Sequence, residues 1–280
     1  MSRIQIGKIS YSNVLPVFHF FRDARFTGRA SFTERVPAEL NRQLAAGDID
    51  LGPVSSFAYA ENAASYQVLG DLSVSALGAV GSIFMFSKRP LEELREPCIA
   101  LTNSSATSVN LLKIIMEKFH GSHPKYQTVK PNLLSMMKDS DAALLIGDDA
   151  LLAKWNNPGY YVYDLGELWY KHTGMWMTFA LWTVRNQVIE HQPDLLREIH
   201  HEFLRSKQQG LEQLDHIILH AKEEFGGTYE FWKAYFSGLC YDFQSDQKRG
   251  LEYYFRCAAE LGLLSRPIEV KIWDAGAKIT

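Results

Sequence analysis

Hydroxyl groups dominate the positions of this chain that could do chemistry. Thr102, Ser104, Ser105, Thr107 and Ser108 put five hydroxyls into seven residues, between an apolar run ending at Leu101 and a periodic run beginning at Val109. That is the pattern of a strand passing into a helix. Amides at a helix N-terminus, backed by the helix dipole, bind an anion without any basic side chain. A cap needs only one such hydroxyl, so the surplus points to a ligand. Ser12 and Asn13, within Ser10 to Pro16, and Ser55 and Ser56, after Pro53 and Val54, end two further apolar runs. In open α/β sheets ligands gather at the carboxyl ends of strands, and Ser12, Ser55 and Ser56 are candidate contacts there. Asn13 both donates and accepts, which suits orienting a hydroxyl or carboxylate; an Asx turn is its structural alternative. Ser82 follows Gly81 at a bend. Gly147, Asp148 and Asp149 follow the buried run Ala142 to Ile146. Gly147 permits close backbone approach, and Asp148 is a base, a hydroxyl anchor or a helix cap.

Other groups carry less. Trp169, Trp176 and Trp182 either wall a cleft against an unsaturated ring or fill the core. His216 and His220 have the i, i+4 spacing of two metal ligands, but Ile217 stands where zinc proteases carry a glutamate, so a solvated helix face is expected and no metal. His200 and His201 are expected on the surface. Cys98, Cys240 and Cys257 are odd in number and widely spaced, which fits neither a disulfide framework nor a zinc pattern and suits a reducing compartment. No phosphate loop, dinucleotide fingerprint or nucleophile elbow occurs.

The elements that must position these groups follow from periodicity. Arg3–Ser10, Ala30–Val36 and Asp50–Val54 read as strands with intervening helices, the second running from Pro37 through Leu40 and Leu44 to Gly47. Short connections then give a parallel sheet. Strands at 72–80 and 82–87 precede a second alternation: strand 98–101, helix 105–119, strand 126–129, helix 132–138, strand 142–146, helix 150–155 and strand 160–163. A buried strand at 178–185 returns the chain, and amphipathic helices at 195–208, 211–225, 229–236 and 247–261 are expected around the first lobe. Two crossings, near Ser87 and Thr178, predict two α/β lobes with a hinge and an interlobe cleft: lobe 1 from 1–87 plus 179–280, lobe 2 from 88–178. That is a periplasmic-binding-protein-like (type 2) fold.

The 280 residues are 46% hydrophobic and 22% charged with a net charge of −3, an ordinary globular composition lacking the basic stripe of a nucleic-acid binder. No apolar stretch approaches the roughly 20 residues of a membrane span. The N-terminal residues lack the pattern of a secretion signal, so a cytoplasmic location is expected.

Taken in order, Ile9 to Pro16, Gly47 to Ser56, Gly81 to Ile83, Ala100 to Ser108, Leu145 to Leu151 and Asp164 to Trp169 resemble the chorismate dehydratase family of menaquinone biosynthesis by the futalosine route. The resemblance runs from the first strand to about Arg185. It implies a lyase that converts chorismate to 3-[(1-carboxyvinyl)oxy]benzoate without metal or organic cofactor, with Asn13 and Ser82 in the site. The hydroxyls at 102–108 and the Ser55-Ser56 turn could then hold the two carboxylates of chorismate from opposite lobes. No histidine lies in the matched segments, which leaves Asp148 or a substrate carboxylate as base. The chain departs from the family pattern at Gly174 to Met177, where Gly-Leu-Pro and an aromatic are expected. The rival readings are the related dihydroxynaphthoate synthase and a non-catalytic binding protein for small anions.

Overall fold

The computed structural model describes residues 3–273. The ends of the expected first lobe, 1–2 and 274–280, lie outside the described residues.

Eleven strands form two sheets among the described residues: β1 (Ile4–Ile9), β2 (Ala30–Arg35), β3 (Leu51–Ser55), β4 (Tyr66–Ala76), β5 (Ile83–Ser87), β6 (Cys98–Thr102), β7 (Lys125–Val129), β8 (Ala142–Ile146), β9 (Tyr161–Asp164), β10 (Met177–Arg185) and β11 (Ile272–Trp273). The first sheet has the order β11-β4-β10-β3-β1-β2 and the second β7-β6-β8-β5-β9. β1 pairs in parallel with both β2 and β3, as the short connections require. β3, β5 and β8 are buried at every position, the mark of strands covered on both faces.

The helix Pro37–Ala46 shows how local sequence sets an element. Pro37 opens it with its fixed φ, Leu40 and Leu44 face inward, and Gly47 ends it at φ 86°, its N–H returning to the Gln43 carbonyl at 2.9 Å. The helix Ala106–Lys113 begins at a Ser105 cap and widens into a π-type turn over Ile114–Phe119.

Strand pairing puts the first crossing earlier than the expected Ser87. β5 belongs to the second sheet, where it lies antiparallel to β8 and β9. The link is therefore 77–82, and the return link is 174–176, just before β10. An apolar run such as Ile83–Ser87 reads the same whichever sheet it joins. β4 begins at Tyr66 rather than near residue 72. Gly70-Asp71 looks like a turn, yet Asp71 adopts φ 55° inside the strand, at an irregularity in the pairing with β10.

Asp164 builds the first link. One carboxylate oxygen accepts the Val80 N–H at 3.0 Å and the Gly166 N–H at 2.8 Å, and the other accepts the Gly81 N–H at 2.7 Å. Gly166 is required beside it: a Cβ there would stand 2.5 Å from the Gly78 carbonyl oxygen.

The C-terminal helices Pro193–Glu212, Leu214–Phe225, Tyr229–Gly238 and Ser245–Glu260 pack against both lobes, not the first alone. Trp155 of the second lobe packs edge-on against Phe231 and Trp232, Tyr253 and Tyr254 flank Trp169, and Lys118 pairs with Glu260 at 2.5 Å. Amphipathicity shows that a helix has a buried face but not what covers it. His200 corrects a second expectation: it is 6% exposed, bonded through Nε2 to the Gly70 carbonyl at 2.8 Å. No helix among the described residues is long and apolar enough to cross a membrane.

Candidate active site

The site forms where the loop after β1 meets the loop after β8. β1 ends at Ile9, and Ser12–Val14 make a short 3-10 turn that Pro16 carries into the helix Leu15–Phe18. Across the interface, β8 delivers Gly147 with φ 60° and then the helix Gly147–Trp155. The ring of Tyr11 lies on Gly147 so closely that a Cβ there would come within 2.7 Å of it. Gly147→Ala is therefore expected to push the lobes apart at this point. Turnover should drop at least tenfold and stability by about 1–3 kcal/mol, read from initial rates and thermal unfolding.

Asp148 does not cap its helix. The cap position is Ile146, and the Asp148 carboxylate instead crosses to the first lobe, where Ser12 Oγ donates to it at 2.5 Å and the Ser12 N–H at 3.2 Å. Burial raises the Asp148 carboxyl to about 6, against the pull of both Ser12 bonds, with Asp149 and Glu224 adding to the rise. A carboxyl poised there exchanges protons near neutrality. Asn13 contributes a buried side-chain oxygen with no partner. Such an acceptor costs about 1–3 kcal/mol unless a ligand satisfies it.

Ser82 is 3% exposed, and its carbonyl accepts the Gly147 N–H at 2.8 Å. Its hydroxyl accepts from Tyr235, on the helix Tyr229–Gly238, at 3.0 Å. The Tyr235 ring also packs on Gly81, where a Cβ would lie 3.0 Å from it. Tyr11, its phenol pushed up to about 12 by burial, faces Ser104 of the opposite lobe.

The remaining hydroxyls are engaged with the protein. Ser105 caps its helix by accepting the Ser108 N–H at 3.3 Å, and Thr102 Oγ1 accepts the Ser104 N–H at 3.2 Å. Thr107 Oγ1 accepts the Phe57 N–H at 2.9 Å, and the Ala38 N–H donates to the Ser104 carbonyl at 3.2 Å; both bonds join the lobes. Ser55 accepts from Asn41 Nδ2 at 2.7 Å. Ser56 turns inward, donating to the Thr178 carbonyl at 2.8 Å. The structure thus brings Ser12, Asn13, Ser82, Ser104, Gly147 and Asp148 into one interface and directs Ser56 away from it.

Tyr235, which bonds Ser82, and Asn41, which bonds Ser55, were not legible in the sequence as partners of these hydroxyls. Tyr235 sits in a run with Tyr229, Phe231, Trp232 and Phe236 that reads as core, and nothing in the sequence separates it from them. Trp169 and Trp182 are fully buried core, while the Trp176 carbonyl accepts from Trp169 Nε1 at 3.1 Å and abuts Gly250. His216 is exposed and His220 pairs with Glu224 at 3.0 Å. Among the described residues no three His, Cys, Asp or Glu side chains gather as a metal site.

Two α/β lobes joined by two links, with polar loops meeting between them, define a periplasmic-binding-protein-like fold of the type 2 class. Solved structures agree on this fold. Protein AF1704 from Archaeoglobus fulgidus matches with a TM-score of 0.73 at 18% identity, over 94% of this chain and 98% of that one. The periplasmic aliphatic sulphonate binding protein SsuA from Escherichia coli matches at 0.70 and 13% identity, over 98% and 92%. The chain belongs to the menaquinone biosynthesis family, whose model matches residues 4–260. It is 31% identical to a chorismate dehydratase of Thermus thermophilus over 278 residues, 94% of this chain and 97% of that protein.

Proposed function

We propose that this chain is a chorismate dehydratase, a hydro-lyase that removes water from chorismate to give 3-[(1-carboxyvinyl)oxy]benzoate on the futalosine route to menaquinone. The relationship to a protein of that activity along nearly the whole of both chains carries the reading. The chemistry is consistent with the site. Losing a ring proton and the ring hydroxyl creates an aromatic ring, so the reaction runs downhill and asks chiefly for positioning and for hydrogen bonds to the departing oxygen.

In this reading Asn13 and Ser82 touch the reacting ring, and Asp148 is the titratable group behind Ser12. Ser12, Ser104 and the Gly147 backbone would surround the substrate, with Ser55, Thr102, Ser105, Thr107 and Ser108 shaping the loops that receive its carboxylates. Ser56, held by the Thr178 carbonyl, shapes its loop from within. The unpartnered Asn13 oxygen supports a polar ligand at this place. A location in the cytoplasm fits three unpaired cysteines, Cys98, Cys240 and Cys257.

The test is incubation of the purified protein with chorismate, followed by absorbance and mass spectrometry for a product lighter by one water. Conversion by the unaltered protein, and its loss by at least a hundredfold in Asn13→Ala, are the expected results. Tight chorismate binding without product would replace the enzyme by a small-anion binding protein. Turnover of a later pathway intermediate instead would indicate the related dihydroxynaphthoate synthase.

A further inference from the structure

We propose that Tyr235 is a positioning residue that carries a proton between Asp148 and the hydroxyl of Ser82, through Ser12. This rests on the dehydratase reading and adds to it the source of the proton that leaves as water.

Four oxygens stand in sequence across the interface. Asp148 Oδ1 lies 2.5 Å from Ser12 Oγ, and the Ser12 side chain in turn faces the Tyr235 phenol. Tyr235 then donates to Ser82 Oγ at 3.0 Å. Tyr235, at 6% exposure, and Ser12, fully buried, are kept from bulk water. The groups facing Asp148 from neighbouring elements are Ser12, Asp149, Glu224, Tyr11 and Tyr235.

Each hydroxyl has one proton and can also accept one, so the chain has two consistent orientations. With Asp148 protonated, it donates to Ser12, Ser12 to Tyr235 and Tyr235 to Ser82, which leaves the Ser82 proton aimed away from its protein partners. The Tyr235 to Ser82 bond in the structure has this sense, while the Ser12 to Asp148 bond has the sense that belongs to the ionised carboxylate. Successive donors polarise one another, making Ser82 a stronger acid than an isolated serine.

The Ser82 proton passes to the departing ring oxygen as the C–O bond breaks with its electron pair on oxygen, and water leaves. Ser82 is re-protonated by Tyr235, Tyr235 by Ser12 and Ser12 by Asp148, which becomes a carboxylate. The ring C–H pair becomes the new π bond, its proton accepted by a carboxylate of the substrate and returned to Asp148 through solvent. Nothing is oxidised or reduced.

Tyr235→Phe removes the link and keeps the ring that packs on Gly81. With chorismate as substrate, its kcat is expected to fall on the order of a hundredfold while KM stays within about twofold. For the unaltered protein, kcat/KM should decline about tenfold per pH unit above about 6, as Asp148 loses its proton. In Tyr235→Phe that decline should vanish, and adding Asp148→Asn should cost nothing further. A merely structural tyrosine would lower thermal stability and raise KM but leave the pH profile in place. Ser12→Ala should reproduce the flat profile. Full turnover in Tyr235→Phe beside an active unaltered protein, or an unchanged profile, overturns the relay alone. An unaltered protein that converts no chorismate overturns the dehydratase reading and the relay with it.

Discussion

Asp148→Asn is expected to cut turnover of chorismate by about two orders of magnitude and, at the same time, to make the protein more stable at pH 8. The first effect follows from replacing a carboxyl that exchanges protons near pH 6 by an amide that does not. The second follows from linkage. In the unfolded chain the carboxyl titrates near 3.8, whereas burial raises it to about 6 in the folded protein. The folded state thus holds the proton more tightly, and stability falls as pH rises from about 4 to about 6, then stays level. Each unit is worth about 1.4 kcal/mol, so the penalty at pH 8 is about 3 kcal/mol at most. An asparagine keeps an oxygen for the Ser12 donors and carries no charge, recovering about 1–3 kcal/mol. Urea unfolding at pH 8 and at pH 4 measures this: the variant should gain at pH 8 and lose the gain at pH 4. Equal stability at both values, or retained turnover, would remove Asp148 from the chemistry.

Glu202→Ala should be the most damaging change far from the cleft. Glu202 is 1% exposed on the helix Pro193–Glu212. It accepts from Arg22 Nε at 2.9 Å, Arg25 Nη1 at 2.7 Å and Arg205 Nε at 3.0 Å. Burial alone would raise its carboxyl, but the guanidinium bonds outweigh that and hold it well below the usual carboxylate range. Its stabilisation is present above the ordinary glutamate range and is lost as pH falls through the depressed folded value. Breaking a buried pair costs about 3–5 kcal/mol; here Arg22 and Arg25 side chains keep roughly half their exposure to water, which favours the lower end, about 3 kcal/mol. Chemical unfolding at pH 7 measures the loss. Turnover of the fraction that remains folded should match the unaltered protein, since Glu202 touches no residue of the cleft.

How far the sequence carries depends on what each signal encodes. Alternation and capping residues are local, so Pro37, Gly47 and Ser105 delimit their helices correctly. The destination of an element is not local. Ile83–Ser87 is apolar at nearly every position, and nothing within it says which sheet it joins. Tyr66–Ala76 is broken in sequence by Gly70-Asp71 though continuous in space. The site divides likewise. The loops holding Ser12, Asn13, Ser104, Gly147 and Asp148 carry polar residues where strands end, which is a readable signal. Tyr235 reaches Ser82, and Asn41 reaches Ser55, from helices whose pattern announces only a buried face.

The membership of β5 in the second sheet bears on when the acid can act. Ser82 precedes that strand and rides with the second lobe, as does Asp148 after β8, whereas Ser12 follows β1 of the first lobe. Any parting of the lobes therefore draws Asp148 from Ser12 at once. In the proposed relay, then, the proton reaches Ser82 only while the two lobes are together. Under that proposal the acid would be assembled only around an enclosed molecule, which would spare a reactive substrate from protonation as it enters or leaves.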